Sequence, residues 1–263
     1  MEDSAGRADV TAEHGLSLWI ETASHRILAD TGASDATWGN AAALGVDPTE
    51  ADILFLSHGH YDHTGGLRGL CRRGFSGEIY LHRDALGAFY HGEKYIGTDP
   101  AAADLPRLHF LRGDAEIDTG LSVFSGVTGR RMWPEGNREL TELRGGRRVQ
   151  DPFAHEQYLV IREGGRRVLV SGCAHNGILN ILDAFREKYG GCPDAVLSGF
   201  HMMKKTPLTD ADREMIRAAA RELSGLPCVF YTGHCTGDAA FDLMREILGG
   251  RLIRLRAGDT LTV

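Results

Sequence analysis

The sequence has no run of about 18 apolar residues, the length a helix needs to cross a bilayer, so no membrane span is expected. Its first residues, Met1-Glu2-Asp3-Ser4, show no basic segment leading into an apolar one, and no signal peptide is expected. Positive charge is in short supply: 29 Lys and Arg stand against 36 Asp and Glu, a net charge of -7. Nucleic-acid binders usually present a basic face, so a nucleic-acid partner is not expected. Cysteine is scarce and lacks a pairing motif: Cys71, Cys173, Cys192, Cys228 and Cys235 make an odd count of five with no CxxC. That pattern fits a reducing cytoplasm better than a disulfide framework. Internal repeats and low-complexity tracts are missing too. The remainder is ordinary globular composition, 263 residues with 42% hydrophobic and 25% charged.

Against this background one stretch stands out, His58-Gly59-His60-Tyr61-Asp62-His63-Thr64-Gly65-Gly66. Three imidazoles and a carboxylate fall within six residues. An apolar segment from Asp52 to Leu56 precedes them as a buried strand, and Leu67 to Arg73 follows as a helix. In an extended chain His58 and His60 point to one face and can grip one ion. Asp62 and His63 lie past the turn and can face a second. Burying several imidazoles without partners is costly, so the cluster calls for a metal site, with two ions as the favoured count.

Taken in order, residues 1–13 are polar and read as poorly structured. His14 to Glu21 and Arg26 to Ala29 read as paired strands, closed by a turn at Asp30-Thr31-Gly32. Asp35 to Leu44 reads as a helix ended by Gly45, Glu78 to Leu81 as a strand, and Arg83 to Tyr90 as a short helix. Residues 92–153 contain four of the eight prolines and a cluster of arginines. Apart from short strands at Leu108 to Leu111 and Leu121 to Phe124, they read as irregular loops covering the site, where specificity would be set. Order returns with a hairpin, Tyr158 to Ile161 and Arg167 to Val170. An amphipathic helix follows at Asn176 to Tyr189, then a strand at Ala195 to Leu197. A helix at Thr209 to Leu223 has Thr209 as its N-cap. A strand at Cys228 to Tyr231, a helix at Asp238 to Leu248 and strands at Leu252 to Leu255 and Thr260 to Val263 complete the chain.

One arrangement recurs: an apolar strand ends, small residues follow, and a histidine appears. It occurs at Ser57-His58, at Ser171-Gly172-Cys173-Ala174-His175, at Ser198-Gly199-Phe200-His201 and at Thr232-Gly233-His234-Cys235. Sites in α/β sheets gather outside the carboxyl ends of strands. His175 and His234 are therefore the candidates to complete the metal ligands begun by His58, His60, Asp62 and His63. Asp62 also suits the orientation of a nucleophilic water. His201 could bind substrate, act as a general acid, or simply be a core residue. Cys173 offers a soft donor, or a buried core thiol. Cys235 and His155 are weaker candidates. Asp30 suits the orientation of a histidine ring. Lys94, Arg130 and Arg131 are possible contacts for an anion. His14, His25, His82, His91 and His109 read as surface or structural.

The HxHxDH stretch with its following Thr64-Gly65-Gly66, together with Asp30-Thr31-Gly32, resembles the metallo-β-lactamase superfamily. Glu13-His14-Gly15-Leu16-Ser17, the Ser171 to Ile178 segment, Gly199-Phe200-His201 and Gly233-His234-Cys235-Thr236-Gly237 look like one subgroup of it. That subgroup is named after dihydropterin-(ribofuranosyl)aminobenzene phosphate synthase. The resemblance implies an α/β (α+β) chain folded as a four-layer αββα sandwich, a single domain over 1–263 with 92–153 as a variable insertion. It makes His58, His60, Asp62, His63, His175 and His234 the metal ligands. The chain departs from the superfamily pattern after the strand ending at Val170-Ser171, where most members place an Asp between the two ions and this sequence has Gly172-Cys173. An edge strand of the subgroup also looks shortened here. An exposed edge would need a cover, and a homodimer is one way to supply it.

The expected function is a cytoplasmic hydrolase with two divalent metal ions, zinc first, iron or manganese as alternatives. A metal-bound hydroxide would attack a phosphoester, ester or amide-like bond in a small anionic substrate. Two alternatives stand beside it: a transferase joining a pterin-type diphosphate to an arylamine, and a non-catalytic binding protein on the same fold.

Overall fold

A computed structural model describes residues 1–263. Two sheets, built from successive halves of the chain, face each other. The first takes its strands in chain order: β1 (Leu18–Glu21), β2 (Arg26–Ala29), β3 (Ile53–Phe55), β4 (Glu78–His82) and β5 (Leu108–Leu111). β1 and β2 are antiparallel, and β2 through β5 run parallel. The second sheet also follows chain order: β6 (Ala115–Asp118), β7 (Leu121–Ser125), β8 (Gln157–Glu163), β9 (Arg166–Val170), β10 (Ala195–Leu197), β11 (Val229–Thr232) and β12 (Leu252–Arg254). It starts antiparallel and turns parallel from β9 onward.

The layers follow from which side chains are apolar. Ile27, Ala29, Ile53 and Phe55 of the first sheet meet Val123, Leu159, Ile161, Val170 and Leu197 of the second in one buried cluster. Each large side chain removed from water in this way contributes about 1.5–3 kcal/mol. The outer face of the second sheet is covered by α4 (Ile178–Tyr189), α5 (Asp210–Ser224) and α6 (Asp238–Leu248), which bury Phe185, Ile216, Leu223 and Met244 against Phe230 and Val160. α1 (Ala36–Ala43) and α3 (Leu67–Arg72) cover the first sheet through Trp38, Leu67 and Leu70. α2 (Tyr61–Thr64) is a single turn that follows β3. The result is the αββα sandwich implied by the resemblance. α5 begins with a capping box in which Thr209 and Asp212 satisfy each other's backbone N–H.

Several expectations need correction. The β1–β2 hairpin is closed by Thr22 to His25, where Thr22 N–H donates to His25 O at 2.9 Å. Asp30-Thr31-Gly32 lies beyond β2, with Asp30 at φ +61. Its Asp and Gly read as turn formers, but the left-handed backbone here leads from the strand into the site. The N-terminal residues are ordered: Gly6 N–H donates to Ala257 O at 2.9 Å and Ala257 N–H to Ser4 O at 2.8 Å. Arg83–Leu86 is a 3₁₀ turn, and Phe89–His91 is a strand. That strand joins Lys94–Tyr95, Leu140–Arg144 and Arg147–Gln150 in a small third sheet, where irregular loops were expected. Thr260 to Val263 alternates like a strand but has no ladder partner and is not one.

Candidate metal centre

The loops after β2, β3, β9, β10 and β11 emerge at one edge of the sandwich, because the parallel strands of each sheet end there. After β3 the chain stays extended through His60 (φ -91, ψ 147) and then turns into α2. His58 and His60 therefore share a face, while Asp62 and His63 turn away. Gly59 between them packs on the backbone of Ala85, and a methyl group there would run into Ala85 O.

The rings of His58, His60 and His175 form one set. Their centroids are 4.6 Å (58 to 60), 5.0 Å (58 to 175) and 4.8 Å (60 to 175) apart. All three Nε2 atoms are buried and have no hydrogen-bond partner. Buried polar atoms are nearly always paired, so three neighbouring orphans aimed inward mark a place for a cation.

Asp62, His63, His234 and Cys173 form the second set. His63 Nε2 lies 3.3 Å from His234 Nε2 and 3.1 Å from Cys173 Sγ. Asp62 Oδ2 lies 3.7 Å from His63 Nε2 and 3.4 Å from His234 Nε2. A tetrahedron of N, O and S donors at about 2.0–2.3 Å from zinc has edges of about 3.3–3.7 Å. These spacings come close to that figure, so the donors fit a metal. Cys173 also groups with His58 and His175, so it belongs to both sets.

Four of the imidazoles have their other nitrogen held. Ser57 Oγ donates to Asp30 Oδ2 at 2.7 Å and so accepts from His58 Nδ1 at 2.8 Å. Asp30 Oδ2 also accepts from His63 Nδ1 at 2.7 Å. Asn137 Oδ1 accepts from His175 Nδ1 at 2.9 Å, and Asp3 Oδ1 accepts from His234 Nδ1 at 2.6 Å. A proton fixed on Nδ1 leaves the Nε2 lone pair facing the centre. Buried Glu156 braces the His175 loop by accepting from His175 N–H at 2.6 Å and Asn176 N–H at 2.9 Å.

The electrostatics separate the two sets. Burial, reinforced by neighbouring imidazoles, holds His58 and His175 well below the ordinary histidine value. Burial and the nearby His155 bring His60 down to about 3. Burial opposes the ionised form of Asp62, but His63 and His234 outweigh it and hold the carboxyl below the carboxylate range. Burial works against a charged His234, yet Cys235, Asp3 and Asp62 raise it well above the usual value. The imidazoles of the first set are thus neutral, while in the second the ionised Asp62 is balanced by the proton on His234, which a bound cation would displace.

The six residues expected from sequence as ligands, His58, His60, Asp62, His63, His175 and His234, are brought together at this edge. His201 is there as well, half-buried in left-handed backbone (φ +49), with its ring 4.2 Å from His175 and its Nδ1 buried without a partner. His155 is not aimed inward. Its Nδ1 accepts from Gly59 N–H at 3.1 Å, so its Nε2–H donates to Asp151 Oδ2 at 3.1 Å. Arg131 is held by Asp183 at 2.7 Å and by Glu222, Arg130 donates to Asn176 Oδ1 at 3.1 Å, and Lys94 donates to Tyr61 Oη at 3.2 Å.

Sequence reasoning missed Asp3, His14, Asn137 and Glu156. His14 is not a bystander. Its Nδ1 donates to Asp3 Oδ2 at 2.7 Å, and its Nε2 lies 3.4 Å from Asp62 Oδ2. The Glu13-His14-Gly15 stretch was the available signal; Asp3 gave none. Asp3→Ala is expected to lower metal affinity about 10–100-fold, the usual cost of losing a partner that orients a ligand. Competition with a chromophoric chelator measures it, and an unchanged affinity would show that Asp3 does not orient His234.

Comparison with known proteins agrees with this geometry. A model of the metallo-beta-lactamase superfamily matches residues 10–225. The chain is 31% identical to the 7,8-dihydropterin-6-methyl-4-(beta-D-ribofuranosyl)-aminobenzene-5'-phosphate synthase of Methanocaldococcus jannaschii, covering 99% of this chain and 94% of that one. It is also 31% identical to an uncharacterized protein, MJ0448, of the same organism, over 73% of this chain and 74% of that one. Among solved structures, Tm1679, described as a metal-dependent hydrolase of the beta-lactamase superfamily, superposes with a TM-score of 0.83 at 32% identity, over 100% of this chain and 96% of that one. The Zn(2+)-bound PqqB of Methylobacterium extorquens shares the fold, with a TM-score of 0.57 at 17% identity, over 97% of this chain and 90% of that one. The chain belongs to the metallo-β-lactamase superfamily.

Proposed function

We propose that this chain is a metal-dependent hydrolase with two divalent ions, zinc in the first instance, acting on a small anionic phosphoester, ester or amide-like substrate. The carrying observation is the pair of adjoining donor sets, one with three orphaned Nε2 atoms and one with donors at tetrahedral spacing. In this reading His58, His60 and His175 hold one ion, and Asp62, His63 and His234 hold the other. Ions bound there lower the pKa of water toward about 7 and make hydroxide available at neutral pH. The chain's own residues do the rest. Ser57, Asp30, Asn137 and Asp3 keep four Nε2 lone pairs directed inward, so little reorganisation is needed during the reaction. Asp62 orients the nucleophilic water. His201, beside His175, binds the substrate or gives a proton to its leaving group.

The relation to the synthase across 99% of this chain favours a second reading, a transferase that joins a pterin-type diphosphate to an arylamine. One experiment separates the two. The metal-loaded protein is given a panel of phosphoesters and lactones, and separately a pterin diphosphate with and without an arylamine. Hydrolysis of panel members without any acceptor supports the hydrolase. Pyrophosphate release that requires the arylamine, with no hydrolysis of the panel, overturns it in favour of the transferase.

A further inference from the structure

We infer that Cys173 is the ligand shared between the two donor sets, bound as a thiolate. The inference deepens the two-ion reading and rests on it. Three observations carry it. First, the sulfur is placed among donors rather than in an apolar core. Cys173 Sγ lies 3.1 Å from His63 Nε2 and within reach of Asp62 and His234 on one side and of His58 and His175 on the other. A thiol buried only for packing has apolar neighbours; this one has imidazoles and a carboxylate around it.

Second, the loop that presents it is clamped. Ser171 N–H donates to Leu197 O at 2.9 Å and Gly199 N–H to Gly172 O at 2.8 Å, which ties the loop after β9 to the one after β10. Gly172 packs so close to Ser57 and His58 that a side chain there would displace them. Ala174 takes φ +54, which turns the chain so that Cys173 and His175 both reach the centre. The residue is 2% exposed, so its sulfur faces protein groups and not bulk water.

Third, the neighbouring cysteine belongs to neither donor set. Cys235 Sγ lies 3.6 Å from Cys173 O and groups with Cys173 and His201 alone. Cys173 is the sulfur that groups with both sets.

When an ion binds, the sulfur–hydrogen bond of Cys173 breaks, its proton leaves to solvent and the thiolate keeps the electron pair. A soft donor in this place selects zinc or iron over manganese or magnesium, which prefer oxygen. The test uses the intact chain loaded with two equivalents of Co²⁺ and read by absorption spectroscopy. The wild type is expected to bind two ions and to show a near-ultraviolet sulfur-to-cobalt charge-transfer band. Cys173→Ser should lose that band. Cys173→Asp, which puts a carboxylate in place of the thiolate, should bind two ions without it, and this variant keeps the outcome readable if the serine variant folds poorly. Cys235→Ala should retain the band. Two bound ions without a charge-transfer band in the wild type, or a band that survives in both Cys173 variants, would overturn the assignment while leaving the two-ion reading intact. Failure of the wild type to bind cobalt would overturn both.

Discussion

Asp62→Ala is expected to remove one of two ions and nearly all activity. The carboxylate is the sole anionic oxygen donor in its set, with Oδ2 3.4 Å from His234 Nε2 and 3.7 Å from His63 Nε2. It also accepts the approach of His14 Nε2 at 3.4 Å. Taking it away leaves His63 and His234 facing each other at 3.3 Å with no carboxylate beside them. A cation there would meet two imidazoles and a sulfur, and the residue that orients the nucleophile would be gone. A loss of about 10³-fold or more in kcat corresponds to about 4 kcal/mol of transition-state stabilisation, a reasonable share for one of two ions. Elemental analysis should show bound metal falling from two to one per chain, with His58, His60 and His175 retaining theirs. Full metal content and full rate in this variant would show that Asp62 is neither ligand nor orienter.

Protein stripped of metal by a chelator is expected to lose stability steeply as the pH falls below about 6.5. In the folded state His58, His60 and His175 are held below the ordinary value by burial, His60 down to about 3. In the unfolded chain they titrate near 6.5. Below that pH the unfolded state binds more protons, so each such imidazole contributes stability that is present above 6.5 and lost as pH falls toward its folded value. The slope is about 1.4 kcal/mol per pH unit for each, about 4 for three together. A total stability of about 5–15 kcal/mol cannot sustain that for many units. His234 does not offset the loss. Its raised value adds stability that is complete below 6.5 and is lost as pH rises from there to the folded value. Asp3 and Asp62, both lowered, add a further loss below about pH 4. Urea titrations of the chelated protein at pH 6.5, 5.75 and 5.0 should show the midpoint falling throughout. A flat midpoint over that range would mean that these imidazoles are not neutral and buried together in solution.

The histidine cluster was legible because its information is local. Strand, extended pair and turn follow one another within a dozen residues, and side-chain alternation alone places His58 beside His60. His175, His201 and His234 were legible for a related reason: parallel strands must end at a common edge, and each histidine follows such an end. The supporting contacts were not legible. Asp3 meets His234 across 231 positions of sequence, and no periodicity reports so distant a pairing. Asn137 lies in a stretch rich in glycine and proline, whose small sheet forms because Leu140, Phe89, Ile96 and Phe153 bury one another, a tertiary cause. Thr260 to Val263 shows the opposite error. Its alternation is strand-like, but a strand needs a neighbour, and none is within bonding reach of that segment.

The central claim is that this edge of the sandwich holds two metal ions. The most direct measurement is the metal content of the protein purified without added metal, followed by titration with Zn²⁺ after chelation. The account predicts two ions per chain, restored by reconstitution. Fewer than one ion per chain, with no uptake on reconstitution, would contradict it.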